Sequence, residues 1–243
     1  MFAILKITAP EVYRALFLIR RIYMKNKLNI KTIATLGMLS AMAYLLMFIT
    51  RGLPPIVQWL KYDPKDIIIT ISGFIFGPIP ALLVTTVVST IEMITVSDTG
   101  WIGLIMNILA SGVFACTASV VYKKKHTLKG AVLGLILSCI LTTGVMILWN
   151  YLITPIYMGV PRAVVASMLI PTFLPFNLLK TIANASFTMI IYKPIVKALR
   201  AAKLVSFSSS ETVQKKSKFI VYVIAMLAIV TCTLIVLVIN GVI

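Results

Sequence analysis

Repeated long apolar stretches constrain this chain more than any other feature. Ile30–Thr50 runs for 21 residues with a single charge, Lys31, at its edge. At about 1.5 Å of rise per residue, such a helix crosses a hydrocarbon layer of about 30 Å. Trp101–Tyr122, Leu128–Ile153, Thr172–Tyr192 and Phe219–Ile243 have the same character. Asp66–Thr95 is harder to place, because its 30 residues are interrupted by Gly77-Pro78-Ile79-Pro80. Only 12% of residues are charged, about half the ~25% of a soluble domain. This composition excludes a soluble enzyme, a disordered tail and a disulfide-knit secreted domain. The chain reads as an all-α, polytopic membrane protein.

Charge sets the topology. Lys and Arg number 23 against 6 Asp and Glu, a net charge of +17. In a membrane protein, basic excess marks cytoplasmic loops, so no nucleic-acid partner is expected. Seven basic residues up to Lys31 place the N-terminus inside, and Lys123, Lys124, Lys125 and Lys129 place that loop inside as well. An even number of crossings must separate the two. Asp66–Thr95 therefore crosses twice, as a short pair turning at Gly77-Pro78. On this reading 18 of the 23 basic residues are cytoplasmic. The loop after the first span is the exception, lying outside with Arg51, Lys61 and Lys65. Val96–Gly100 and Thr154–Pro171 also lie outside and carry only Arg162 between them.

Four segments follow. Residues 1–26 form a basic N-terminal extension, either a plain extension upstream of Met24 or an interfacial helix. The stretch lacks the charge order and cleavage site of a signal peptide. Residues 27–204 form a six-span domain, 205–218 a polar linker, and 219–243 a seventh transmembrane helix.

Chemistry-bearing motifs are sparse. No GxxxxGK[ST] is present, so the chain has no P-loop with which to use ATP. HExxH and GxSxG are absent, and the single His126 lies in a Lys-rich loop. Cys116, Cys139 and Cys232 lie within apolar runs, with no CxxC spacing, and read as core residues rather than metal or redox sites. Neither a cofactor nor a metal is expected.

Polar residues inside spans are the informative ones, because they are costly in lipid and are usually functional. Asn177, Lys180 and Asn184 share one helix face by their i, i+3, i+7 spacing. Asn107, Asn150 and Glu92 map to the outer half of other spans. Lys180 could simply snorkel outward, and a lone Asn can be helix-packing glue. Four Asn, a Lys and a Glu converging on one end point instead to a small-molecule pocket. Glu92 could contact the ligand or pair with Lys180. Asp66 suits an N-cap of the second span. Pro54, Pro55, Trp59 and Tyr62 could mark the membrane interface or close over a ligand. Gly37 and Ala41 form a small-xxx-small pattern that permits close helix contact.

Several segments together resemble a known family. They are Gly37-Met38-Leu39-Ser40-Ala41, Leu60-Lys61-Tyr62-Asp63-Pro64-Lys65-Asp66, Phe76-Gly77-Pro78, Met106-Asn107, Asn150-Tyr151 and Leu174-Pro175-Phe176-Asn177-Leu178-Leu179-Lys180. The sequence is similar to the riboflavin-specific substrate-binding subunit (S component) of energy-coupling-factor (ECF) transporters over about Lys27–Leu204. The resemblance implies a six-helix bundle in a bacterial inner membrane that binds riboflavin from outside and does no bond chemistry. Asn150, Asn177 and Lys180 would face the flavin ring, and Tyr62 and Asp63 could serve the ribityl chain. Gly37 and Ala41 would dock on a transmembrane coupling subunit, which works with two ATPase subunits. Glu92 departs from the basic or amide residue expected there, and the seventh span has no counterpart. The alternatives are an S component for another vitamin, an intramembrane enzyme or a structural scaffold.

Overall fold

The computed structural model describes residues 30–52, 55, 60–204 and seven positions between 225 and 233. The N-terminal extension, the polar linker, Pro54, Trp59 and most of the seventh span lie outside the described residues. The positions described between 225 and 233 are helical.

Among the described residues up to Leu204, seven α-helices follow in the order α1 (Ile30–Arg51), α2 (Lys65–Phe76), α3 (Pro78–Thr95), α4 (Gly100–Lys125), α5 (Leu128–Met158), α6 (Arg162–Met168) and α7 (Leu174–Ala201). The chain turns between α2 and α3 where the Gly-Pro pair predicts. Gly77 has φ 102° and ψ 178°, a conformation that side chains with a Cβ avoid. Pro78 then fits the first turn of α3, where its missing N–H is harmless.

The short pair is less symmetric than two crossings would require. At 12 residues, α2 is about 18 Å long and cannot span the hydrocarbon alone. Instead, every residue from Lys65 to Phe74 is buried in protein, with α1, α3, α4 and α7 packed around it. Among the described residues, five helical stretches are long and apolar enough to cross a membrane, and α6–α7 counts among them as one run, Arg162–Ala201. The predicted six-helix core is thus five long elements around a short central one.

Apolar packing holds α2 in place. Leu36, Leu39 and Ala43 of α1 meet Ile67, Ile68 and Ile71 of α2 and Val84 and Val88 of α3. Phe74, Phe114, Ala118 and Leu135 form a second cluster at the other end of α2. Packing is tight at Gly73, where a Cβ would collide with Ser119 Oγ and lie 3.0 Å from Ala81 Cβ. Gly73→Ala should therefore cost about 1–3 kcal/mol as an overpacked core substitution. A thermal melt of the detergent-purified protein checks this, and an unchanged midpoint would show that the interface can yield.

Outward faces are apolar, as lipid requires. Ile33, Leu45 and Phe48 of α1 and Ile136 and Ile140 of α5 are exposed. Gly37 and Ala41 lie on the same outward side of α1, and a Cβ at Gly37 would meet nothing within 4 Å.

The outer loop predicted over Thr154–Pro171 is mostly helical. α5 continues through Pro155 to Met158 and ends at Gly159, φ 64°. α6 and a π-helical turn over Leu169–Phe173 then lead into α7. Sequence signals missed this because Pro155 and Pro171 read as breakers. Pro155 forfeits one bond to the preceding turn, yet α5 continues through it for three more residues, and a π-turn accommodates Pro171.

Candidate ligand-binding site

A cavity of about 370 Å³ opens where α1, α3 and α5 end and α2, α4 and α7 begin. Its size suits a small-molecule site. The basic clusters Lys123–Lys125, Lys129 and Lys197 belong to the opposite helix ends. Apolar walls come from Met106 of α4, Met146, Trp149 and Ile153 of α5, and Phe173 and Phe176 beside α7.

Four predicted residues of the spans, Asn107, Asn150, Asn177 and Lys180, are brought together on this cavity. Asn150 is buried, donates through Nδ2 to Met146 O at 2.8 Å and accepts from Thr154 Oγ1 at 3.0 Å. Asn177 donates through Nδ2 to Phe173 O at 2.7 Å. These bonds tie each amide to its own helix and fix its direction. An amide has two N–H donors and two acceptor lone pairs, so capacity remains for a ligand. Lys180 Nζ lies 4.0 Å from Asp63 Oδ2 and 3.9 Å from Asp66 Oδ2, at the outer limit of ion pairing.

Asn184 and Tyr62, also predicted to bind ligand, are joined to each other instead and do not line the cavity. Tyr62 donates its phenolic O–H to Asn184 Oδ1 at 2.6 Å. Asn184 Nδ2 donates to Asp63 O and to Asp66 Oδ2, both at 3.2 Å. This fully buried amide clamps the segment that enters α2. Burial, then the Asp66 and Asp63 charges, push the Tyr62 hydroxyl upward, so it remains a donor.

Asp63 and Glu92 do line the cavity, in a charge network the sequence reading missed. Its centre is Lys65, fully buried, with Nζ 2.5 Å from both Asp63 Oδ2 and Glu92 Oε2. Arg51 lies 3.7 Å from Glu92 and 3.7 Å from Asp98, and donates to Val96 O at 2.6 Å. The proposed Glu92–Lys180 pair is thus corrected: Glu92 pairs with Lys65 and Arg51, while Lys180 faces Asp63 and Asp66. Asp66 is not the N-cap either. Pro64 holds that position, and Asp63 Oδ1 accepts the Lys65 N–H at 3.1 Å. The Asp66 carboxylate is turned toward Asn184 and Lys180.

Burial alone would raise the Asp63 carboxyl. The Lys65 and Lys180 charges and the hydrogen bonds from Lys65 outweigh it and hold Asp63 below the ordinary carboxylate value. Asp63 is therefore ionised at neutral pH. One sequence signal could have exposed the network. Four of the six acidic residues, Asp63, Asp66, Glu92 and Asp98, fall in one short stretch. Arg51, Lys61 and Lys65, the basic residues that break the positive-inside pattern, stand beside it.

Among the described residues, no group of His, Cys, Asp and Glu is arranged to hold a metal ion. Chemically, the cavity can sandwich a flat apolar ring system and offer amide and ammonium groups to its polar edge.

Comparison with known proteins shows the family. A family model described as ECF transporter, substrate-specific component, matches residues 31–192. The riboflavin transporter RibU of Staphylococcus aureus is 30% identical over 186 residues, covering 72% of this chain and 97% of that protein. The riboflavin transporter FmnP of Bacillus subtilis is 25% identical over 189 residues, covering 73% of this chain and all of that protein. The solved S component of a bacterial ECF transporter superposes with a TM-score of 0.59 at 28% identity, over 69% of this chain and 96% of that one.

Proposed function

This chain belongs to the substrate-specific components of ECF transporters, and from that membership we propose that it captures riboflavin from outside the cell for ATP-driven uptake. It is a multi-pass membrane protein of a transport family, not of an enzyme family. The observation that carries the riboflavin reading is the convergence of Asn150, Asn177 and Lys180 on one apolar-walled cavity. The polar edge of isoalloxazine alternates carbonyl acceptors with an N–H donor. Asn supplies both complements, and Lys supplies charge-assisted donors. Trp149, Phe173 and Phe176 give the ring system its slot. The similarity to riboflavin transporters over most of their length supports the same ligand.

Topology follows from charge. The basic helix ends face the cytoplasm of a bacterial cell, with the N-terminus inside, and the cavity opens outward. Since the chain lacks a P-loop, energy must come from partners: a transmembrane coupling subunit and two ATPase subunits. The outward small patch at Gly37 and Ala41 on α1 suits close docking of the coupling subunit.

Purification in detergent from cells supplied with riboflavin tests the reading. The protein should emerge yellow, with a flavin absorption spectrum, and should quench flavin fluorescence when riboflavin is added back. A colourless preparation that leaves added riboflavin fluorescent would exclude it.

A further inference from the structure

We infer that Glu92 makes this cavity selective for neutral riboflavin over its 5′-phosphate. The inference rests on the flavin reading above. Glu92 is 4% exposed and lines the cavity. Its carboxylate engages two cations, Lys65 at 2.5 Å and Arg51 at 3.7 Å. Lys65 is shared with Asp63, and Lys180 stands between Asp63 and Asp66. Arg51, Lys65 and Lys180 are thus balanced by Asp63, Asp66 and Glu92, and each cation already faces a carboxylate of this chain. Lys61 also lines the cavity, but it is exposed and donates to Arg51 O at 3.2 Å. Residues 53–59 of the same loop contain no Lys or Arg.

A phosphate monoester carries a charge of about −1.5 to −2 at neutral pH. To leave water it needs charged donors not already committed. Here, apart from the exposed Lys61 at the rim, it meets carboxylates whose partner cations are taken. The ribityl hydroxyls of riboflavin are neutral and can donate to those same carboxylate oxygens. Glu92 decides the balance because its loss would release Arg51 and Lys65 together. Of its carboxylate partners, Arg51 would keep only the 95% exposed Asp98, and Lys65 only Asp63.

The test titrates the full chain in detergent with riboflavin and with flavin mononucleotide, following flavin fluorescence. Repulsion between like charges at a binding surface is large, so the wild-type protein should favour riboflavin by about 100-fold or more. Glu92→Gln should narrow that ratio by about 10-fold, through tighter mononucleotide binding that weakens with added salt. A merely structural Glu92 would weaken both ligands together and leave the ratio unchanged, which overturns the inference. Because Lys65 is buried, Glu92→Gln is paired with Asp98→Asn, which removes an exposed partner of Arg51 and should shift the ratio the same way by less. An unchanged ratio in the folded variants, or equal wild-type affinity for both flavins, sinks this inference alone. Absence of any riboflavin binding sinks the flavin reading and this inference with it.

Discussion

Lys180→Ala should lower riboflavin affinity by about 10- to 100-fold, the range set by losing a charge-assisted hydrogen bond worth about 1.5–3 kcal/mol. Two losses combine in this variant. The ligand forfeits an ammonium donor, and Asp63 and Asp66 lose the cation 4.0 and 3.9 Å away; Asp63 keeps Lys65, whereas the Asp66 carboxylate is left with its Asn184 hydrogen bond. Neither pair is tight, so the fold should survive. Asn177→Ala should weaken binding similarly, with only its bond to Phe173 O lost to the fold. Fluorescence titration of each variant, with size-exclusion chromatography to confirm folding, makes the measurement. Wild-type affinity in both folded variants would remove them from the binding site.

Lys65→Ala should have the largest effect on stability. Removing one partner of a buried ion pair typically costs about 3–5 kcal/mol, because the remaining charge is stranded. Here two carboxylates lose their nearest cation at once: Asp63 would keep only Lys180 at 4.0 Å and Glu92 only Arg51 at 3.7 Å. A methionine that fills the same volume should not rescue the protein, since charge is the problem. Combining Lys65→Met with Asp63→Asn and Glu92→Gln should recover much of the loss, as groups in one network couple strongly. Thermal unfolding in detergent distinguishes the cases. A Lys65→Met single variant as stable as wild type would mean that the network contributes little to the fold.

Much of the fold was legible because membrane helices announce themselves by length and charge. Ile30–Thr50 is helical throughout, and α1 ends one residue later, at Arg51. Parity between Lys31 and Lys123–Lys125 forced a turn inside Asp66–Thr95, and Gly77 makes it. The face shared by Asn177 and Lys180 followed from helical spacing alone. What sequence could not supply was pairing across distance. Lys65 and Glu92 are 27 positions apart, and nothing local says that they touch. Lys65 looked like a loop residue because it precedes an apolar run. It is buried because α2 is wrapped by other helices. Asn184 shares the face of Lys180 but sits one turn deeper, where Tyr62 reaches it before any ligand could. The helicity of Arg162–Met168 was hidden by the flanking prolines and by its lack of a full apolar span.

The central claim is that one flat heterocycle binds between the amides of α5 and α7 and the ammonium of Lys180. An equilibrium titration of ligand-free protein with riboflavin, run beside thiamine and biotin, tests it most directly. The account predicts saturable quenching by riboflavin at one site per chain, with no heat or competition from the other two vitamins. Saturable binding of thiamine or biotin, or none of riboflavin, would contradict it.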